Sequence, residues 1–130
     1  PYQNMVQFMF EQPTDQAFSM LYDRLKAQGS VMFLTTSYLR GITLDNSIII
    51  VDECQNLTFH ELDTIMTRVG EGTKIVLTGD IEQIDNVYVD ATTNGLSYVV
   101  EKMKDQEISG HITLKKGERS KVATIAAAIL

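Results

Sequence analysis

The residues best equipped for chemistry are Asp52 and Glu53, adjacent carboxylates that directly follow Ile48, Ile49, Ile50 and Val51. Four β-branched residues in a row predict a strand buried on both faces. In open α/β sheets, ligands occupy the crevice beyond the carboxyl ends of the strands, which is where this pair falls. One carboxylate there can hold Mg²⁺ while the other orients or deprotonates a water. An acidic pair after a strand can also do no more than begin a loop or favour a helix N-terminus. Two features weigh toward chemistry. Gln55 follows at once, and a second apolar run, residues 75–77, ends in Thr78, Gly79 and Asp80 with Gln83 three residues on. Neighbouring parallel strands would bring both clusters to one edge, where Gln83 can reach a terminal phosphate or an attacking water.

Other candidates are weaker. Gly70, Glu71, Gly72, Thr73 and Lys74 look like a phosphate loop, but that motif needs Gly-x4-Gly-Lys-Ser/Thr between a strand and a helix. Here Thr precedes Lys and the segment runs from helix to strand, so it reads as a helix C-cap and turn. Arg119 precedes the last helix and can offer a planar cation to a phosphate; taken alone it reads as a surface arginine. His60 and His111 lack the spacing of a metal site. Asp80, Asp85 and Asp90 lack the glycine that an EF-hand loop requires at its sixth position. Cys54 has no nearby histidine signature and reads as a small packing residue.

The elements that must position these residues follow from periodicity. Thr14 or Asp15 can cap a helix with Phe18, Leu21, Tyr22 and Leu25 on one face, ended by Gly29. Residues 31–34 read as a short buried strand, and 36–46 as a polar connection. After the Asp-Glu strand, Thr58 and Glu61 form a capping box with Leu57 placed to staple onto Leu62. Leu62, Ile65, Met66 and Val69 face that helix, and Gly70 closes it. A turn-rich segment to Asn94 leads into a helix faced by Leu96, Val99, Val100 and Met103. Residues 111–114 read as a further strand, and Val122, Ile125, Ala126 and Ile129 as a final helix with Ser120 as its cap. Strands and helices alternate, and the strands are continuously apolar. The expected fold is α/β, three-layer, with a mostly parallel sheet.

Composition bounds the reading. A length of 130 residues suits one domain, and 44% hydrophobic with 22% charged residues is ordinary globular usage. The chain opens on Pro1 rather than Met, so we expect a piece of a longer protein. No apolar run approaches the roughly 18 residues that span a bilayer, and no signal-peptide pattern is present; no membrane partner is expected. The single cysteine excludes an internal disulfide framework and fits a reducing, cytoplasmic interior. A net charge of −6 argues against a uniformly basic nucleic-acid binder. The basic run Lys115, Lys116, Arg119 and Lys121 leaves room for a local patch, or for a solvated helix entrance.

With these clusters together, the chain resembles the C-terminal part of a PhoH-like P-loop ATPase, related to superfamily 1 helicase cores. The resemblance lies in Ile49 to Leu57 around Asp52-Glu53-Cys54-Gln55, in Gly70 to Asp80, in Gln83 to Asn86, in Asn94-Gly95-Leu96 and in Lys116 to Ser120. It implies ATP and Mg²⁺ as ligands and a P-loop NTPase-like partial domain over residues 1–130, with about the first 35 residues matching poorly. Asp52 matches the Walker B aspartate that binds Mg²⁺, and Glu53 the residue that activates the hydrolytic water. Gln55 falls in the Asp-Glu-x-Gln motif near the nucleotide. Gly79 and Asp80, with Gln83, match the motif that senses the γ-phosphate. Arg119 resembles an arginine acting on that phosphate, within its own subunit or across an interface between copies. Cys54 stands where such sequences usually carry alanine. The departure is the missing Walker A motif. The β- and γ-phosphate cradle is expected upstream of Pro1, and these residues alone are expected to bind ATP poorly.

The resemblance thus implies ATP hydrolysis coupled to remodelling of RNA or other nucleic acid, with single-stranded RNA and further copies of the parent as partners. Two alternatives stay open. The fold can serve as a non-enzymatic oligomerisation or nucleic-acid-binding module. A haloacid-dehalogenase-like phosphatase would account for Thr78-Gly79-Asp80 with Asp85, but not for the missing Asp-x-Asp nucleophile motif or for Asp52 to Gln55.

Overall fold

The computed structural model describes residues 15–36, 39, 41–115 and 120–129. They fall into two compact units, residues 1–42 and 43–130.

In the first unit, helix α1 spans Asp15–Ala27. Leu21, Tyr22 and Leu25 are its half-buried positions, as their spacing requires. It ends where Gly29 takes a positive φ, and the Gly29 and Ser30 amides donate to the Lys26 and Leu25 carbonyls. The Lys26 ammonium lies over the rings of Tyr22 and Phe33, 5.6 and 5.9 Å from their centroids. The strand expected at 31–34 does not form. Residues 32–35 carry no regular structure, and Met32 and Phe33 are more than half exposed. An apolar run becomes a strand only when a neighbour takes its backbone hydrogen bonds, and no ladder forms there among the described residues.

The second unit is built on two parallel strands, β1 at Ile48–Val51 and β2 at Lys74–Leu77, paired Ile48 with Lys74 through Val51 with Leu77. The pairing is stitched upstream as well. Leu44 N–H donates to the Arg68 carbonyl, Gly70 N–H to the Leu44 carbonyl, and the Thr73 hydroxyl to the same Leu44 oxygen. Between the strands lie a short 3-10 turn, Cys54–Asn56, and helix α2, Phe59–Met66. Helix α3, Gly95–Met103, packs on α2 and on the turn. Helix α4 spans Lys121–Ile129. The core is small: Cys54, Leu62 and Ile65 are buried, joined by the polar side chains of Gln55 and Asn94.

The capping box at α2 forms in full. The Thr58 hydroxyl accepts from the Glu61 amide, and the Glu61 carboxylate accepts from the Thr58 amide at 2.9 Å. Asn94 caps α3 by accepting from the Ser97 amide, and its Nδ2 donates to the Asp90 carbonyl and the Ser97 hydroxyl.

Three further expectations are corrected. β1 is not buried on both faces: Ile48 and Ile50 are exposed, beside Val76 of β2 on the same face, while Ile49, Val51, Ile75 and Leu77 are half-buried. With two strands, the described sheet has one face covered and one open. Gly70 is not a helix cap, since α2 stops at Met66 with Thr67 as its C-cap. Gly70 instead passes against the Leu44–Asp45 backbone, where a Cβ would lie 2.8 Å from the Leu44 carbonyl oxygen. Residues 111–114 are irregular, with Ile112 and Leu114 almost fully exposed. The apolar residues Val122, Ile125 and Ile129 of α4 are exposed.

Candidate active site

The parallel register brings the two polar clusters to one edge. Beyond Val51 and Leu77 the ladder continues, with Thr78 N–H donating to the Val51 carbonyl and Cys54 N–H to the Thr78 carbonyl, each at 2.9 Å. Asp52 and Glu53 therefore lie alongside Thr78, Gly79 and Asp80. The Thr78 hydroxyl donates to Asp52 Oδ1 at 2.6 Å, and the Glu53 amide donates to the same oxygen at 3.0 Å. Those two bonds orient the Asp52 carboxylate at the mouth of the sheet.

Glu53 sits in the left-handed region, φ 55° and ψ 36°. A non-glycine residue held there stores about 1–3 kcal/mol of backbone strain, and the strain turns the chain out of β1 and straight into the 3-10 turn. Its exposed carboxylate accepts from Gln55 Nε2 at 2.6 Å.

Gln55 is fully buried and its amide is spent on three partners. Nε2 donates to the Glu53 carboxylate and to the Gln83 carbonyl, the latter at 3.0 Å, while Oε1 accepts from the Asp80 amide at 3.2 Å. Gly79 is needed for this packing, because a Cβ there would lie 2.6 Å from Gln55 Oε1 and 2.8 Å from Leu96 Cδ2. Asp80 is half-buried and accepts from the Glu82 amide and from Gln83 Nε2; Gln83 is exposed.

Cys54 is buried beneath the pair, and its thiol donates to the Val51 carbonyl at 3.1 Å. Burial pushes that thiol up to about 11, and the negative charges of Asp52 and Glu53 add to the rise. A thiol so held is protonated and shielded, which suits packing rather than nucleophilic attack.

The sequence alone did not single out Thr78 as the group that aligns Asp52, nor Asn56. The Asn56 side-chain oxygen accepts from the Asp85 and Asn86 amides at 2.8 and 3.1 Å, and its carbonyl accepts from the Asn86 amide group. That clasp holds the loop after Gln83 against the 3-10 turn. A polar residue at the end of a second strand was the one available signal for Thr78; nothing in the local pattern signalled Asn56. Arg119 lies outside the described residues. His111 is exposed and bonded to Thr113, and His60 stacks on Phe59. Among the described residues no group of three or more His, Cys, Asp or Glu side chains could hold a metal. Mg²⁺ needs less than that, one or two carboxylates with water and phosphate oxygens completing its shell, so the hard oxygens of Asp52 fit that ion.

A parallel sheet whose strand ends carry Asp-Glu and Gly-Asp clusters on one edge, with helices between, defines part of a P-loop NTPase-like α/β domain. A family model described as PhoH-like protein matches residues 3–129, and the chain belongs to that family. It is 55% identical over 102 residues to Protein PhoH2 of Bacillus subtilis, covering 78% of this chain and 23% of the relative. It is 34% identical over 124 residues to Protein PhoH2 of Mycolicibacterium smegmatis, covering 95% of this chain and 28% of the relative. Protein PhoH2 of Thermobispora bispora is 37% identical over 103 residues, covering 79% and 23%. The chain thus spans about a quarter of the length of these relatives.

Proposed function

We propose that this chain is part of an enzyme that binds ATP with Mg²⁺ and hydrolyses it, coupling turnover to remodelling of RNA or other nucleic acid. The observation that carries the reading is the common edge, where Asp52 and Glu53 lie beside Gly79, Asp80 and Gln83. Family membership supports the nucleotide-binding part.

In this reading Asp52 holds Mg²⁺, which when bound supplies charge neutralisation at the β- and γ-phosphates. Glu53 accepts a proton from the water that attacks the γ-phosphorus. The strained backbone at Glu53 and the bond from Gln55 keep its carboxylate aimed. Asp80 and Gln83 face the γ-phosphate, with Gly79 giving close backbone approach, and Arg119 stabilises the charge that develops there. Residues 1–130 are one part of a larger ATPase domain, the main phosphate cradle is supplied elsewhere in the parent, and a cytoplasmic setting accompanies the reading. A binding module without turnover is the second reading, favoured by the open apolar face of the sheet.

The test is ATP hydrolysis by the full-length parent, with and without single-stranded RNA, against its Glu53→Gln variant. Turnover should fall at least about 100-fold with ATP binding retained, and RNA should stimulate the unaltered protein. Equal turnover in both proteins would sink the role of Glu53 and leave the binding module.

A further inference from the structure

Gln55 would be expected to contact the nucleotide if it acted as the motif resemblance implies, yet its geometry suits another task. Its side chain is fully buried, and both donors and the acceptor of its amide are engaged by protein groups. With both N–H donors committed, the amide has none left for a phosphate unless it first gives up a bond, and stranding a buried polar group costs about 1–3 kcal/mol. Its three partners are also unusual in kind. One is the Glu53 carboxylate, and the other two are backbone atoms of Asp80 and Gln83, the ends of the four-residue segment that follows β2.

We propose that Gln55 is a positioning residue that never touches the nucleotide and instead locks the Glu53 carboxylate in register with the segment from Asp80 to Gln83. The proposal rests on the ATPase reading and adds to it a physical link between the group that handles water and the group that faces the γ-phosphate. One amide clamps both, so neither can shift without the other. Gly79 completes the clamp, because only a residue without a Cβ lets the backbone come this near Gln55 Oε1. Displacement of a positioned group by about 1 Å can cost a hundredfold in rate, whereas affinity for ATP depends on contacts that Gln55 does not make.

The decisive variant in the full-length parent is Gln55→Glu, which keeps the shape but, when ionised, replaces two donors with an acceptor facing the Glu53 carboxylate. It should lower kcat about 10- to 100-fold while KM and the Kd of a fluorescent ATP analogue stay within about twofold of wild type. The deficit should shrink as pH falls from about 8 to about 6, because a protonated carboxyl regains one donor. A tenfold or greater loss of nucleotide affinity would show direct contact and overturn the proposal, as would an unchanged kcat.

A second measurement needs no variant. Hydrogen exchange of the Asp80 amide in the unaltered parent should be slow, and should stay slow when a non-hydrolysable ATP analogue binds. Fast exchange without nucleotide, or release of protection when the analogue binds, would show that Gln55 does not hold the clamp and would overturn the proposal. Should the wild type fail to turn over ATP, the ATPase reading falls by itself, and the exchange measurement still decides the clamp.

Discussion

Position 54 carries a thiol directly beneath two carboxylates, and its surroundings decide how it behaves. Burial first, and then the charges of Asp52 and Glu53, raise the thiol from its ordinary value near 9 to about 11. The folded state therefore holds this proton more tightly than the unfolded chain. Its contribution to stability is whole below about pH 9 and is lost as pH rises toward about 11. We expect the melting temperature of the protein to drop more between about pH 8 and about pH 10.5 than that of Cys54→Ala, measured by circular dichroism. A parallel drop in both proteins would mean that Cys54 does not ionise with the fold. That Cys54 packs rather than reacts was legible from sequence, since no histidine accompanies it. The size of its shift was not, because burial depends on tertiary packing such as that of α3 on the turn Cys54–Asn56.

Among the elements, α2 is the one most completely written in local sequence. Thr58, Glu61 and the apolar spacing after them specify its start, and the structure forms both halves of the box. The Glu61 carboxylate also accepts from the Thr58 hydroxyl at 2.8 Å. Thr58→Ala removes one side of this arrangement and should cost about 1 kcal/mol, read as a lower urea midpoint with an unchanged slope. No change in midpoint would show that the α2–α3 contact alone holds the helix start. The end of α2 was less legible. Gly70 looked like a terminator, but its role is to let the chain pass close to Leu44 and Asp45, a contact made across 25 residues or more. The strands divide in the same way. β1 and β2 form because each supplies the other's ladder, whereas residues 31–34, apolar throughout, have no ladder among the described residues, and neither do residues 111–114. Hydrophobic pattern proposes a strand; only a neighbour makes one.

At the scale of the molecule, the second unit carries its site on a sheet with an open face. Ile48 is 65% and Val76 46% exposed on that face, and the apolar residues of α4 are exposed as well. Exposed apolar side chains of this kind favour association. The 130-residue chain by itself should sediment faster as its concentration rises, and Ile48→Thr combined with Val76→Thr should weaken that dependence. Sedimentation independent of concentration in the unaltered chain would show that the face is tolerated by a monomer. Among the described residues no helix is long and apolar enough to cross a membrane.

The α/β class, both paired strands, the helix cap at Thr58, and the candidate residues from Asp52 to Gln83 followed from the sequence by itself. Each is specified by short-range spacing, by a capping residue, or by a motif a few residues long. Only the tertiary structure decided that Thr78 aligns Asp52, that Asn56 clasps Asp85 and Asn86, and that Gln55 is buried with both amide donors engaged. Those bonds join groups 25 to 30 residues apart. Which donor meets which acceptor at that separation depends on strand register and on the turn at Glu53, and no periodicity in the chain encodes either.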